Sequence, residues 1–175
     1  MKIAIIKVSL FFFISLGTLF AQGHNQNSGD FESEFTGLIE SYLVLKNALV
    51  ESDAEAALSA ASQMESQLVE IGEHRLEGDH HMKWMETYNK IESGLTEITG
   101  STDLEEIRTH FYGLSETLIA GVKNFDIEGV VYHQHCPMAF DNEGGSWLSS
   151  EEQIRNPYLP DTMMGCGRVI ERIEG

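Results

Sequence analysis

The chain has 175 residues, of which 28 are acidic and 11 basic, giving a formal charge of −17. That length leads us to expect one domain, and a surface this acidic excludes nucleic acid as a partner, because phosphate binding needs a basic face. With 42% hydrophobic and 22% charged residues the composition excludes a disordered chain; two cysteines are too few for a disulfide-dense scaffold but enough for one bridge or one soft metal site.

Met1–Ala21 reads as a secretory signal: Lys2 and Lys7 supply the positive start, Val8 to Leu16 is apolar except for Ser9 and Ser15, and Leu19-Phe20-Ala21 ends on a small residue. A retained membrane anchor is the alternative, but the apolar run is short for a span. Cleavage after Ala21 removes two lysines and no acid, so the expected product is more acidic still, with 28 acids against 9 bases. The expectation is a periplasmic protein with no stable membrane insertion. Residues 22–29 read as a flexible leader, 30–126 as a helical bundle and 127–175 as a tail packed on it.

From Asp30 the apolar period is helical. Phe31, Phe35, Leu38, Tyr42, Leu45 and Leu49 step by three and four, forming one stripe. Ser52-Asp53-Ala54-Glu55 matches a capping box, with Ser52 taking an orphan amide and Glu55 reaching back. The second helix is expected to turn Ala54, Ala57, Leu58, Ala61, Met64, Leu68 and Ile71 inward. A third, about Asp79 to Ile98, carries His81, Met85, Tyr88, Ile91, Leu95 and Ile98 at helical steps, and Gly100 ends it. Thr102-Asp103-Leu104-Glu105 is another capping box. It opens a fourth helix with Leu104, Ile107, Phe111, Leu114, Leu118 and Val122 on one side. The expected fold is all-α, an antiparallel four-helix bundle.

From Gly129 the pattern changes. Gly129 to His135 and Gly167 to Ile173 are strand-like, and Asn142 to Gly145 signals a turn. A short helix is expected to start at Ser149. Pairing the two end strands antiparallel, with Val130 against Arg172, would bring Cys136 beside Cys166. Trp147, Tyr158 and Phe140 are expected to pin this irregular tail to the bundle.

Both cysteines sit among soft ligands: His133-Gln134-His135-Cys136-Pro137-Met138 and Met163-Met164-Gly165-Cys166. Thiolate and thioether together select Cu(I), a soft d¹⁰ ion, and imidazole is a competent further donor. An oxidising compartment favours a Cys136–Cys166 disulfide instead. The residues leave both states open, and the two can interchange if the metal binds only the reduced form. His81 and Met85, four apart on the third helix, are either a second ligand pair or part of a core stripe. His74 and His110 are solitary, and His24 lies in the leader.

Nothing in the sequence points to an enzyme. There is no phosphate loop, no nucleophile elbow, no His-Glu-x-x-His helix and no Cys-x-x-Cys pair. A thiol oxidoreductase would need an electropositive cysteine, for which Arg168 near Cys166 is the sole hint.

The tail motifs His-Cys-Pro-Met-Ala at 135–139, Gly-Ser-Trp-Leu-Ser at 145–149, Ile-Arg-Asn-Pro-Tyr at 154–158 and Met-Met-Gly-Cys-Gly at 163–167 come in the order of the domain of unknown function 3347 family. The helical part resembles it too, through Tyr42 to Leu49, Asp53, the alanine-rich helix, Arg108 and Phe111. This sequence departs from the family pattern at Leu159-Pro160. The resemblance implies heavy-metal handling, chiefly of copper, in small exported proteins and in the C-terminal domain of periplasmic efflux adaptors. By that likeness Cys136, Met138, Cys166 and one of Met163 and Met164 are the sulfur ligands, with His133 and His135 as weaker candidates. The expected cargo is Cu(I), with silver or zinc as alternatives, and the expected protein partner is an efflux-pump adaptor. The rival expectation is a disulfide-stabilised interaction module that binds an adaptor or another envelope protein.

Overall fold

In the computed structural model, which describes residues 26–72 and 76–175, four long helices are followed by a small antiparallel sheet. The expected signal and most of the leader, with His24, lie outside the described residues, as does His74. The helices are α1 (Gln26–Val50), α2 (Ala54–Ile71), α3 (Gly78–Thr99) and α4 (Leu104–Asn124). Helix α1 therefore starts inside the segment read as leader. No helix among the described residues is long and apolar enough to cross a membrane.

The predicted stripes form the core. Phe35, Leu38, Tyr42, Leu45 and Leu49 of α1 are buried, as are Met64 and Leu68 of α2 and Ile107, Phe111 and Leu118 of α4. Helix α3 buries Tyr88, Ile91, Leu95 and Ile98 of its expected stripe and departs from it only in its first turns. Trp84 enters the core, while His81 and Met85 stay part-exposed. The indole explains this: its ring meets Phe31 edge-on with centroids 4.9 Å apart, and its Nε1 donates to the Gly72 carbonyl at 3.0 Å. A large ring with a satisfied N–H gains more from burial than a thioether does.

Both capping boxes slide by one residue. The α2 cap is Asp53, whose carboxylate accepts from the Ala56 amide at 2.9 Å, and Ser52 turns to a positive φ of 57°. At α4, Asp103 accepts from the Glu105 and Glu106 amides, and Glu106 reaches back to the Thr102 amide at 2.8 Å. A carboxylate is the stronger acceptor for orphan amides and complements the positive helix end.

The helices pack in sequence order, α1 on α2, α2 on α3 and α3 on α4. Along the α1–α4 side the tail completes the core. Its strands are β1 (Val130–Cys136), β2 (Gly145–Ser149) and β3 (Arg168–Glu174), ordered β2-β1-β3 with all pairs antiparallel. Strand β2 lies on α4 and α1, with Trp147 and Leu148 fully buried. Tyr42 fastens the junction: its hydroxyl pairs with Ser115 Oγ at 2.7 Å and accepts from the Leu148 amide at 3.1 Å. The tail thus holds three strands rather than two. No helix starts at Ser149; a single helical turn forms later, at Pro160–Met163.

Candidate functional site

The cysteines close the open end of the β1–β3 pair. Cys136 ends β1 opposite Gly145 of β2, and Cys166 sits two residues before β3. They form a disulfide with Cα atoms 5.5 Å apart. The expected pairing of the two end segments is present, but its register differs by two residues. Val130 faces Glu174 rather than Arg172. Going from that pair toward the disulfide, β3 takes up one extra residue at Ile170, where a bulge separates the His133 and Gln134 pairings, and the ladder ends at His135 and Arg168. A bulge of this kind adds twist and lets two strands meet a cross-link they would otherwise overshoot.

Backbone and side-chain hydrogen bonds hold the second cysteine segment. Asn156 is fully buried; its Nδ2 donates to the Cys166 carbonyl at 3.2 Å and its amide donates to the Met164 carbonyl at 2.9 Å. Its Oδ1 accepts from the Tyr158 amide at 2.9 Å. Arg108 of α4 ties this segment to the bundle, donating to the Pro157 carbonyl at 3.0 Å, to Ser52 Oγ at 3.0 Å and to the Leu49 carbonyl at 3.2 Å. Buried Gln134 serves the other side. It accepts from Trp147 Nε1 at 2.8 Å and donates to the Glu151 carbonyl at 2.7 Å. Buried polar groups of this kind persist because they are paired, and each pairing fixes a loop that has no ladder of its own.

Between Cys136 and β2 the chain makes a left-handed turn. Phe140, Asp141 and Asn142 have φ of 50°, 55° and 74° with no glycine among them. Non-glycine residues in this region cost free energy, so the surroundings must impose it. Here Phe140 packs on Tyr158 and Tyr112, with centroids 5.0 and 5.2 Å away. The following glycines admit the neighbours. A side chain at Gly144 would come within 2.7 Å of the His135 ring, and one at Gly145 within 2.8 Å of the Tyr158 ring.

Three of the five sulfur ligands expected from the sequence line two separate clefts. Met138 and Met163 line one of about 610 Å³, together with Glu105, Arg108, Asp141 and Glu143. His135 and Cys166 line another of about 420 Å³, with Pro137, Gly167 and Arg168. Met138 is 46% exposed and Met164 37%, whereas Cys136 is wholly buried. Met164 belongs to neither lining. His135 Nδ1 lies 3.1 Å from Ser146 Oγ.

His133 is set apart from both clefts. Its ring nitrogens are buried without a hydrogen-bond partner, and burial, then the Lys123 ammonium, lowers its pKa against the pull of Glu116 and Glu171. His81 and Met85 remain on α3, whose packing partners are α2 and α4, and neither lines either cleft. Among the described residues no three His, Cys, Asp or Glu side chains converge as metal ligands. Of the expected ligands, Cys136 and Cys166 are brought together by the disulfide, Met138 shares a cleft with Met163, and His135 shares one with Cys166. Arg108 and Asn156, which hold the tail segments, fall within the stretches that carry the family resemblance, whereas Gln134 has no such signal in the sequence.

The family described as a protein of unknown function (DUF3347) matches residues 38–129, just over half of the chain. The matched stretch runs from α1 to the residue before β1, so the tail motifs lie beyond it. No curated protein and no solved structure matches the chain.

Proposed function

The chain belongs to the DUF3347 family, and from that footing we propose that it is a heavy-metal-binding protein of the bacterial envelope, chiefly for Cu(I), acting as a chaperone or buffer beside an efflux system. One observation carries this reading: two cysteines 30 residues apart meet, and Met138 and Met163 share an adjacent cleft rimmed by Glu105, Asp141 and Glu143. In the reduced protein the two thiolates and a thioether offer a soft donor set that suits a d¹⁰ cation. Copper is cargo here, passed on by ligand exchange, and the acidic surface draws cations and a more basic partner. The disulfide is the metal-free, oxidised state.

The test is anaerobic Cu(I) titration of reduced protein against a chromophoric competitor. The expected result is one high-affinity ion, lost in Cys136→Ser/Cys166→Ser and weakened at least tenfold in Met138→Leu/Met163→Leu. Unchanged stoichiometry and affinity in both variants would overturn the reading.

A second reading has its own support, since Cys136 is fully buried within the core cluster. A bridge so enclosed suits a permanent clasp that holds the tail as an interaction module for an envelope partner. Thiol counting on protein isolated from its native compartment separates the two. A cysteine pair that is never found reduced favours the clasp.

A further inference from the structure

The two ends of the disulfide are not equally open. Cys136 has no exposed surface and is packed in the core, whereas Cys166 is part-exposed and lines the cleft formed with His135, Pro137, Gly167 and Arg168. Beyond its two chain neighbours, nothing packs within 4 Å of the position a side chain on Gly165, the residue before Cys166, would take. The Asn156 bonds fix the backbone of the Cys166 segment against the bundle. In a chain with a charge of −17, the cleft that Cys166 lines is also lined by an arginine. A thiolate attacking a disulfide must reach one sulfur in line with the bond to the other, and a cationic neighbour favours its approach.

We infer that Cys166 is the sulfur at which the bridge is opened by thiol–disulfide exchange with a dithiol reductant, and that the Arg168 cleft receives the incoming thiolate. The reductant's thiolate forms a bond to Cys166 Sγ while the Cys136–Cys166 bond breaks. The electron pair leaves on Cys136 Sγ, which takes up the proton of the reductant's second thiol. That second sulfur, now a thiolate, attacks its partner in the mixed disulfide and releases Cys166 as a thiolate, which solvent protonates. The dithiol ends as a disulfide and the bridge as two thiols, a transfer of two electrons and two protons. This step rests on the proposed reading for its purpose, since it would open the sulfur set to cargo, but not for its chemistry.

The experiment uses oxidised full-length protein and excess reduced glutathione as a one-thiol probe. Acid quenching, alkylation and peptide mass mapping then locate the mixed disulfide. Glutathione on Cys166 and the alkyl group on Cys136 is the expected pattern; glutathione on Cys136, or equally on both, overturns the inference. Single variants provide an independent readout where reclosure is fast. Cys166 in Cys136→Ser should react with an aromatic disulfide reagent at least roughly 100-fold faster than Cys136 in Cys166→Ser, and equal rates overturn the inference. Arg168→Glu should slow exchange roughly three- to tenfold in wild-type background, an effect that added salt reduces. No metal is present in these measurements, so loss of the cargo assignment and loss of this one are separate results.

Discussion

Lys46 is the least expected residue in the core, and replacing it should stabilise the protein. It lies on α1 between Leu45 and Leu49, is only 4% exposed, and feels the charges of Arg155 and Glu151. Burial, reinforced by the Arg155 guanidinium and opposed by Glu151, lowers its pKa from 10.5 to about 8. At about 1.36 kcal/mol per pH unit, the fold disfavours the charged amine by roughly 3 kcal/mol. At pH 7 the amine is protonated in both folded and unfolded chains, so that cost is present in full. Between about pH 8 and 10.5 the unfolded chain binds a proton that the folded chain has released, so stability rises with pH across this window. Below it the contribution is flat. Lys46→Met keeps the aliphatic stem and removes the charge. The expected result in urea unfolding is a gain of about 1–3 kcal/mol at pH 7, shrinking toward zero by pH 10 as the wild type catches up. A variant less stable than wild type at pH 7, or a difference that does not change between pH 7 and 10, would refute the reasoning.

Opening the disulfide should be costly. Cross-linking residues 30 apart stabilises by about 3.6 kcal/mol in the chain-entropy model, so Cys136→Ser/Cys166→Ser should lose about that much by denaturant titration; a loss below 1 kcal/mol means the tail holds without it. Gly145→Ala would push a methyl to 2.8 Å from the Tyr158 ring and 3.2 Å from the Ala139 side chain. A loss of about 1–3 kcal/mol and a lower Tm are expected, whereas Gly113→Ala, in open space on α4, should leave Tm unchanged or raise it. His133 has a pKa below its ordinary value, so the unfolded chain takes up its proton first as pH falls through about 6.5. Stability contributed by the neutral ring is then lost progressively until the folded pKa is passed. His133→Leu should flatten that part of a Tm-against-pH curve, and an unaltered slope would assign it to other groups.

The helices were legible because each depends on one local variable. Steps of three and four put Phe35, Leu38, Tyr42 and Leu45 on one side of α1, and burial of a stripe fixes the rest. The face of α3 was harder, since two stripes overlap there. Reading His81 and Met85 as inward gives a regular period, but Trp84 has the larger apolar area and a carbonyl within reach, so α3 turns to bury it. The caps were misread by one residue for a similar reason: Ser52 and Asp53 are both good caps in isolation, and a hydrogen bond to Ser52 Oγ from Arg108, 56 residues away, leaves Asp53 to do the capping.

The tail defeats local reading more thoroughly, and the same features explain why its chemistry was still partly visible. Strand β2 is buried on almost every residue, so it shows no alternation, and the turn before it uses Phe140, Asp141 and Asn142 where glycine would have signalled a positive φ. Those conformations come from packing on Tyr112 and Tyr158, residues of other segments, and no window of sequence contains that information. The meeting of Cys136 and Cys166 needed less. Two strand-like ends and an intervening turn suffice to bring them together, whatever the register between them. The register at the far end came out two residues away, and the bulge at Ile170 accounts for one of them. A bridge at the end of a pair thus fixes which strands meet but leaves the bulges to fix which side chains meet. That is why the meeting of the two cysteines could be read from the sequence, whereas the placing of Met138 and Met163 in a cleft apart from that of Cys166 could not.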